Sequence, residues 1–98
     1  MRSVDLVVAN PSGLHARPAT LFTEAAATFA STVTVENLTN GKGPVDAKSI
    51  LLLLTAGVSS GHRIRIAASG EDEDAAVEAL AGLVEGGLGE DGAEAPST

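Results

Sequence analysis

The chain has 98 residues, 44% of them apolar and 2% aromatic, with a formal net charge of −7 and no cysteine. That length supports one domain burying roughly 60–70% of its unfolded surface, and the missing cysteines exclude a disulfide framework or a thiolate metal site. So few aromatic rings and so little positive charge argue against a nucleic-acid partner.

Val4, Leu6 and Val8 alternate with other residues and share one face, which predicts a first strand over Val4–Val8. Nothing precedes it except Met1-Arg2-Ser3, so no targeting segment is expected and the chain reads as cytoplasmic. Pro11, Ser12 and Gly13 are turn residues, each interrupting regular structure for its own backbone reason. A helix is predicted over Ala16–Ala30, with Ala19, Phe22, Ala26 and Phe29 as its apolar stripe. Pro18 has no backbone N–H, which is tolerated in a first helical turn, so the helix opens near Ala16 with His15 at its cap.

Thr32–Glu36 alternates with β-branched residues and predicts a second strand. Asn40-Gly41 is a hairpin signal leading to a short third strand that includes Val45 and Ala47. Ser49 is suited to cap a short helix through about Ala56, with Gly57 as its stop. Its apolar run, Ile50–Leu54, is the longest in the chain and far below the ~18 residues of a membrane span. Ser60-Gly61 turns into a fourth strand, Arg63–Ala67, with Ile64 and Ile66 inward and His62 solvated.

A last helix is predicted over Asp72–Glu85, with the stripe Ala76, Val77, Leu80, Leu83 and Val84 and acidic residues in its first turn. Residues 71–98 hold nine carboxylates and no cation, which reads as a solvated acidic helix and tail. From Gly86 onward no periodicity is seen, so a single domain over 1–88 is expected, followed by a disordered acidic tail over 89–98.

The order βαββαβα, with one apolar face per strand and one stripe per helix, implies a two-layer α/β (α+β) sandwich. A right-handed crossover over the first helix leaves a gap between strands one and two. The fourth strand fills it, giving a four-stranded antiparallel sheet of order 1-4-2-3.

His15 carries the chemistry. A neutral imidazole is a competent nucleophile near pH 7, its unperturbed pKa being about 6.5. The amides of Ala16 and Arg17, the positive end of the helix dipole and the Arg17 guanidinium would all favour a phosphate on that ring. An ordinary His at a helix start is a cap and nothing more; Gly13, Arg17 and Pro18 around this one reverse that weight. No P-loop, paired-carboxylate motif or metal-ligand cluster accompanies it, so a phosphoryl relay without cofactor or metal fits better than an enzyme.

Gly13-Leu14-His15-Ala16-Arg17-Pro18-Ala19 resembles the active-site signature of HPr, the histidine-containing phosphocarrier family of the bacterial phosphoenolpyruvate-dependent phosphotransferase system. Ala47-Lys48-Ser49-Ile50, followed by Leu51–Leu54, resembles that family's regulatory-serine segment, and Ser69-Gly70-Glu71-Asp72-Glu73 the opening of its last helix. The resemblance implies an open-faced sandwich with three helices on one side. It implies a monomeric carrier whose His15 accepts a phosphoryl group, through Nδ1, from enzyme I and passes it to sugar-specific IIA components. It further implies a docking patch of Thr20, Ile50, Leu51 and Leu54, and phosphorylation of Ser49 by a serine kinase; capping alone accounts equally well for Ser49. The chain departs from some relatives in carrying Glu24 and Ala27 where they place lysines, which leaves Arg17 and Lys48 as the basic complement of the site. Other readings are a carrier for a regulatory or dihydroxyacetone-kinase branch, a non-phosphorylated interaction module and a ferredoxin-like nucleic-acid binder.

Overall fold

The computed structural model describes residues 1–90. In chain order the elements are β1 (Arg2–Val7), α1 (Ala16–Ala27), β2 (Thr32–Asn37), β3 (Val45–Asp46), α2 (Ile50–Thr55), β4 (Arg63–Ser69) and α3 (Glu73–Glu85). The four strands form one antiparallel sheet of order β1-β4-β2-β3, the topology expected from the sequence. No helix among the described residues is long and apolar enough to cross a membrane.

The period-two pattern sets which face is covered. Val33, Val35, Ile64, Ile66 and Ala68 join Val8 in the core, where Ala19, Phe22 and Ala26 of α1 and Ala76, Val77, Leu80 and Val84 of α3 meet them. The opposite face carries Asp5 and Arg65, paired through bonds of 2.8 and 3.0 Å. These side chains are largely exposed, and such a pair contributes little to stability.

Register extends two of the strands past the sequence limits. Arg2 and Ser3 pair with Ala68 and Ala67, and Thr32 pairs with Ser69, so β1 starts earlier and β4 ends later than the apolar alternation suggests. The helix α1 is shorter, stopping at Ala27 rather than Ala30. Groups distant in sequence capture the backbone there. Asp72 accepts from the amides of Ala30 (2.8 Å) and Ser31 (2.9 Å) and from the Ser31 hydroxyl, and Lys48 Nζ donates to Phe29 O at 2.8 Å. The Ser31 hydroxyl and the Ala30 amide together hold the Asp72 carboxyl below its usual range.

The acidic helix is the solvated face expected, Asp74 and Glu78 staying exposed where they pair with Arg2 at 3.0 and 3.7 Å, and Asp72 just before it ties down the chain after α1. The end of the described chain, by contrast, is not frayed. Gly87, Leu88 and Glu90 form a compact turn: Leu88 N donates to Leu83 O at 3.0 Å and Glu90 N to Gly87 O at 2.9 Å. Leu88 is buried, held at a φ of 52° beside Gly87 at 90°, a left-handed bend that a glycine makes at little cost. The remainder of the expected tail, 91–98, lies outside the described residues.

Candidate phosphoryl-acceptor site

The loop after β1 is held from both sides. Gly13 N donates to Asn10 O (3.2 Å), and Asn10 Nδ2 donates back to Gly13 O (2.9 Å), closing a tight turn. Gly13 has a φ of +61°, and a Cβ there would lie 2.4 Å from Val58 O and 2.8 Å from Ser59 Cα. A side chain is therefore excluded by both the backbone conformation and the neighbouring backbone. Leu14 is fully buried and donates its amide to Val58 O at 3.0 Å, which pins the loop to the segment after α2.

His15 follows as the residue preceding α1, with extended backbone (φ −129°, ψ 158°) and no side-chain hydrogen bond to the helix. His15 is the N-cap residue with the extended backbone usual there, and its half-buried imidazole makes no cap bond. Ala16 has a φ of 53°, in the left-handed region where a Cβ costs roughly 1–2 kcal/mol. The helix opens at Ala16, as Pro18 suggests, with that first residue off regular helical dihedrals. Such strain persists only where the surrounding structure over-determines it. Ala16 and Arg17 are exposed and open the helix, so their amides have no intrahelical acceptor. Among the described residues Arg17 forms no ion pair.

Lys48 does not belong to this site. Its ammonium donates to Phe29 O, beyond the C-terminal end of α1, whereas His15 precedes the N-terminal end of that 12-residue helix. At 1.5 Å per residue the helix separates them by roughly 18 Å. Arg17 is left as the candidate cation beside His15.

The same contacts orient α2. Its N-terminal side is tied to the end of α1 through Lys48, and its C-terminal side reaches the start of α1 through Val58 and Leu14. The two helices therefore run antiparallel, with Leu54 toward His15 and Ser49 at the far end. Ser49 caps α2, its Oγ accepting from Leu52 N at 3.3 Å.

Of the residues expected in a docking patch, Leu51 is 73% and Leu54 38% exposed, Thr20 is exposed, and Ile50 is half-buried against the core. Leu52, not singled out by sequence, is 46% exposed. A six-residue helix buries one face, taken here by Leu53, so a run of four leucines necessarily leaves others outside. Thr20 also donates its hydroxyl to Ala16 O at 3.3 Å.

Two further groups escaped the sequence. His62, expected to be solvated, is half-buried; its Nδ1 accepts from Ser59 N at 3.1 Å and faces Asn37 Nδ2 at 3.1 Å. That arrangement makes it a brace of the loop behind Gly13. Glu90 reaches the turn before His15, accepting from Asn10 Nδ2, Ser12 N and Ser12 Oγ at 2.9, 2.9 and 2.7 Å. The Asn10 amide, followed by the two Ser12 donors, holds this carboxyl below its usual range. No sequence signal marks either contact, since each depends on long-range placement.

Comparison with known proteins agrees with this geometry. Residues 3–86 match the family model described as the phosphorylation site of the HPr component of the phosphotransferase system. The chain is 40% identical over 88 residues to the multiphosphoryl transfer protein of Salmonella typhimurium, covering 90% of this chain but 23% of that relative. It thus spans about a quarter of the length of such relatives. To the phosphocarrier protein HPr of Haemophilus influenzae it is 40% identical over 84 residues, covering 86% of this chain and 95% of the relative. The crystal structure of HPr-C-His from Thermoanaerobacter tengcongensis superposes with a TM-score of 0.85 at 41% identity, covering 92% and 98% of the two chains. A histidine at a strained helix entrance, an exposed arginine two residues on and a match across the whole fold lead to one assignment: the chain belongs to the HPr family of phosphotransferase-system phosphocarriers.

Proposed function

We propose that the chain accepts a phosphoryl group on His15 from phosphorylated enzyme I and discharges it to IIA components, acting as a cytoplasmic monomer. One observation carries this reading. His15 is fixed by buried neighbours, makes no side-chain bond to its helix, and stands beside the exposed Arg17 and the open amides of α1. In the acceptor step the Nδ1 lone pair forms a new bond to phosphorus while the donor nitrogen leaves with the electrons of the old one. Arg17 and the Ala16 and Arg17 amides meet the phosphoryl oxygens, supplying the charge stabilisation that dominates phosphoryl transfer.

The test is a chase. Chain loaded by enzyme I and phosphoenolpyruvate should lose its label to an added IIA component, with no label released as free phosphate on the same timescale. Label retained in the presence of every IIA tested, while a known HPr discharges, contradicts the relay.

Arg17→Lys keeps the charge and loses the planar donor fork that bridges two oxygens. Phosphoryl acceptance should slow about tenfold, equivalent to roughly 1.4 kcal/mol, with thermal stability unchanged. A wild-type rate in a rapid-quench assay would remove Arg17 from the phosphate site.

Ser49 is proposed as a phosphorylatable regulator acting through docking. It caps the end of α2 remote from His15, next to exposed Leu51 and Leu52. In Ser49→Asp the carboxylate still accepts the Leu52 amide and is favoured by about 0.3–1 kcal/mol at the helix start. Burying that charge against a partner costs desolvation. The expected result is a raised half-saturation for enzyme I at a nearly unchanged maximal rate. A collapsed maximal rate at unchanged half-saturation would place Ser49 within the reacting site instead.

A further inference from the structure

Glu90 is 75 residues beyond His15, yet its carboxylate grips the turn that delivers His15. The turn offers three donors to it: Asn10 Nδ2 at 2.9 Å, Ser12 N at 2.9 Å and Ser12 Oγ at 2.7 Å. Among the described residues nothing else ties Ser12 down, because the Asn10–Gly13 bonds close the turn around it without using its own groups. Asn10 is 1% exposed and donates both to Glu90 and to Gly13 O, while its Oδ1 has no partner among the described residues. A buried amide carrying an orphaned oxygen has been oriented by demand from its acceptors, and a carboxylate is the strongest acceptor present. The chain is bent back to bring it there: Gly87, Leu88 and Glu90 form the left-handed turn after α3, and buried Leu88 anchors it.

From this arrangement we infer that Glu90 is a positioning residue for phosphoryl transfer, a latch from the end of the fold that fixes the Asn10–Gly13 turn and so the placement of His15. The inference rests on the carrier reading above. Glu90 does not touch the imidazole; it acts by limiting the conformations of the turn, and transfer is sensitive to small misplacements of the reacting group. It also makes the residues after α3 part of the working site, although they form no regular element.

The test uses the full chain with enzyme I and phosphoenolpyruvate, at a temperature where every variant is shown to be folded. Glu90→Ala should lower the rate constant for phosphoryl acceptance about tenfold, by the loss of a preorganised turn. Glu90→Gln retains an acceptor for the Ser12 amide and should recover most of that loss. Ser12→Ala combined with Glu90→Ala should be less damaging than the two single effects multiplied, because both break the same contact. Hydrogen exchange at the Ser12 amide should quicken in Glu90→Ala and recover in Glu90→Gln. If Ser12 exchange quickens while acceptance stays at the wild-type rate, the latch exists without positioning His15 and the inference is overturned. Equal slowing in Glu90→Gln and Glu90→Ala, with Ser12 exchange recovered in the former, overturns it too, since charge and not the contact would then matter. Absence of phosphorylation in the wild-type chain is a separate outcome, and it removes the carrier reading itself.

Discussion

The His15→Ala chain should fold as the wild type does and accept no phosphoryl group from enzyme I. The retained fold follows from what the imidazole does not do. It makes no side-chain bond to α1, and the loop is held by the Leu14 amide on Val58 O, the Asn10–Gly13 turn and the burial of Leu14 and Pro18. Truncating a half-buried ring at a position already extended, with φ −129°, introduces no backbone strain. Stability should therefore change by less than about 1 kcal/mol, the ordinary range for a substitution that breaks no specific contact. The loss of acceptance follows from the absence of a second nucleophile at the site. His62 is the other histidine of the chain, and its Nδ1 is engaged with the Ser59 amide. A fold confirmed by circular dichroism together with any transferable phosphate would remove His15 from the centre of the account.

The second large effect is structural. Gly13→Ala should destabilise the protein by about 2–4 kcal/mol, combining left-handed strain of roughly 1 kcal/mol with overpacking of 1–3 kcal/mol. The new Cβ would lie 2.4 Å from Val58 O and 2.9 Å from Ser59 C, both backbone atoms that cannot rotate away. Any movement that relieves the clash pulls the Leu14 amide from Val58 O, so transfer should slow as well. Gly41→Ala is the matched control, with a φ of +79° and nothing within 4 Å of the added atom. It should lose only the strain term. Denaturant midpoints separate the two, and equal losses would show that close approach at Gly13 is not what the fold depends on.

How far these features could be read from sequence depends on the range of the interaction behind each. Local periodicity carried the strands, the helices and their stripes, because Val33, Val35, Ile64 and Ile66 need only alternate to face one layer. Pro18 placed the helix entrance at Ala16, and the segment Gly13–Ala19 pointed to His15 and Arg17 as the candidate nucleophile and cation. The Ala16 distortion was not legible, since an alanine at a φ of 53° has no sequence signature of its own. Lys48 looked like part of the basic complement because it lies beside Ser49 in sequence; the antiparallel packing of α1 and α2 sends it to Phe29 instead. The acidic end looked solvated and unstructured because charge and glycine content are local properties. Its actual partners, Ser31 for Asp72, Arg2 for Asp74 and Ser12 for Glu90, come from 41, 72 and 78 residues away.

The central claim is that His15 becomes phosphorylated, and the most direct measurement is the site and chemistry of the phosphate on the wild-type chain. Chain labelled with nitrogen-15 in its histidines is incubated with phosphoenolpyruvate and catalytic enzyme I, and followed by nitrogen and phosphorus resonance. One phosphate per chain is expected, bonded to Nδ1 of His15, lost in acid and stable in base, with the His62 resonances retaining their shifts. A phosphate found on His62 or Ser49, or none at all from an enzyme I preparation that phosphorylates a known HPr, would contradict the account.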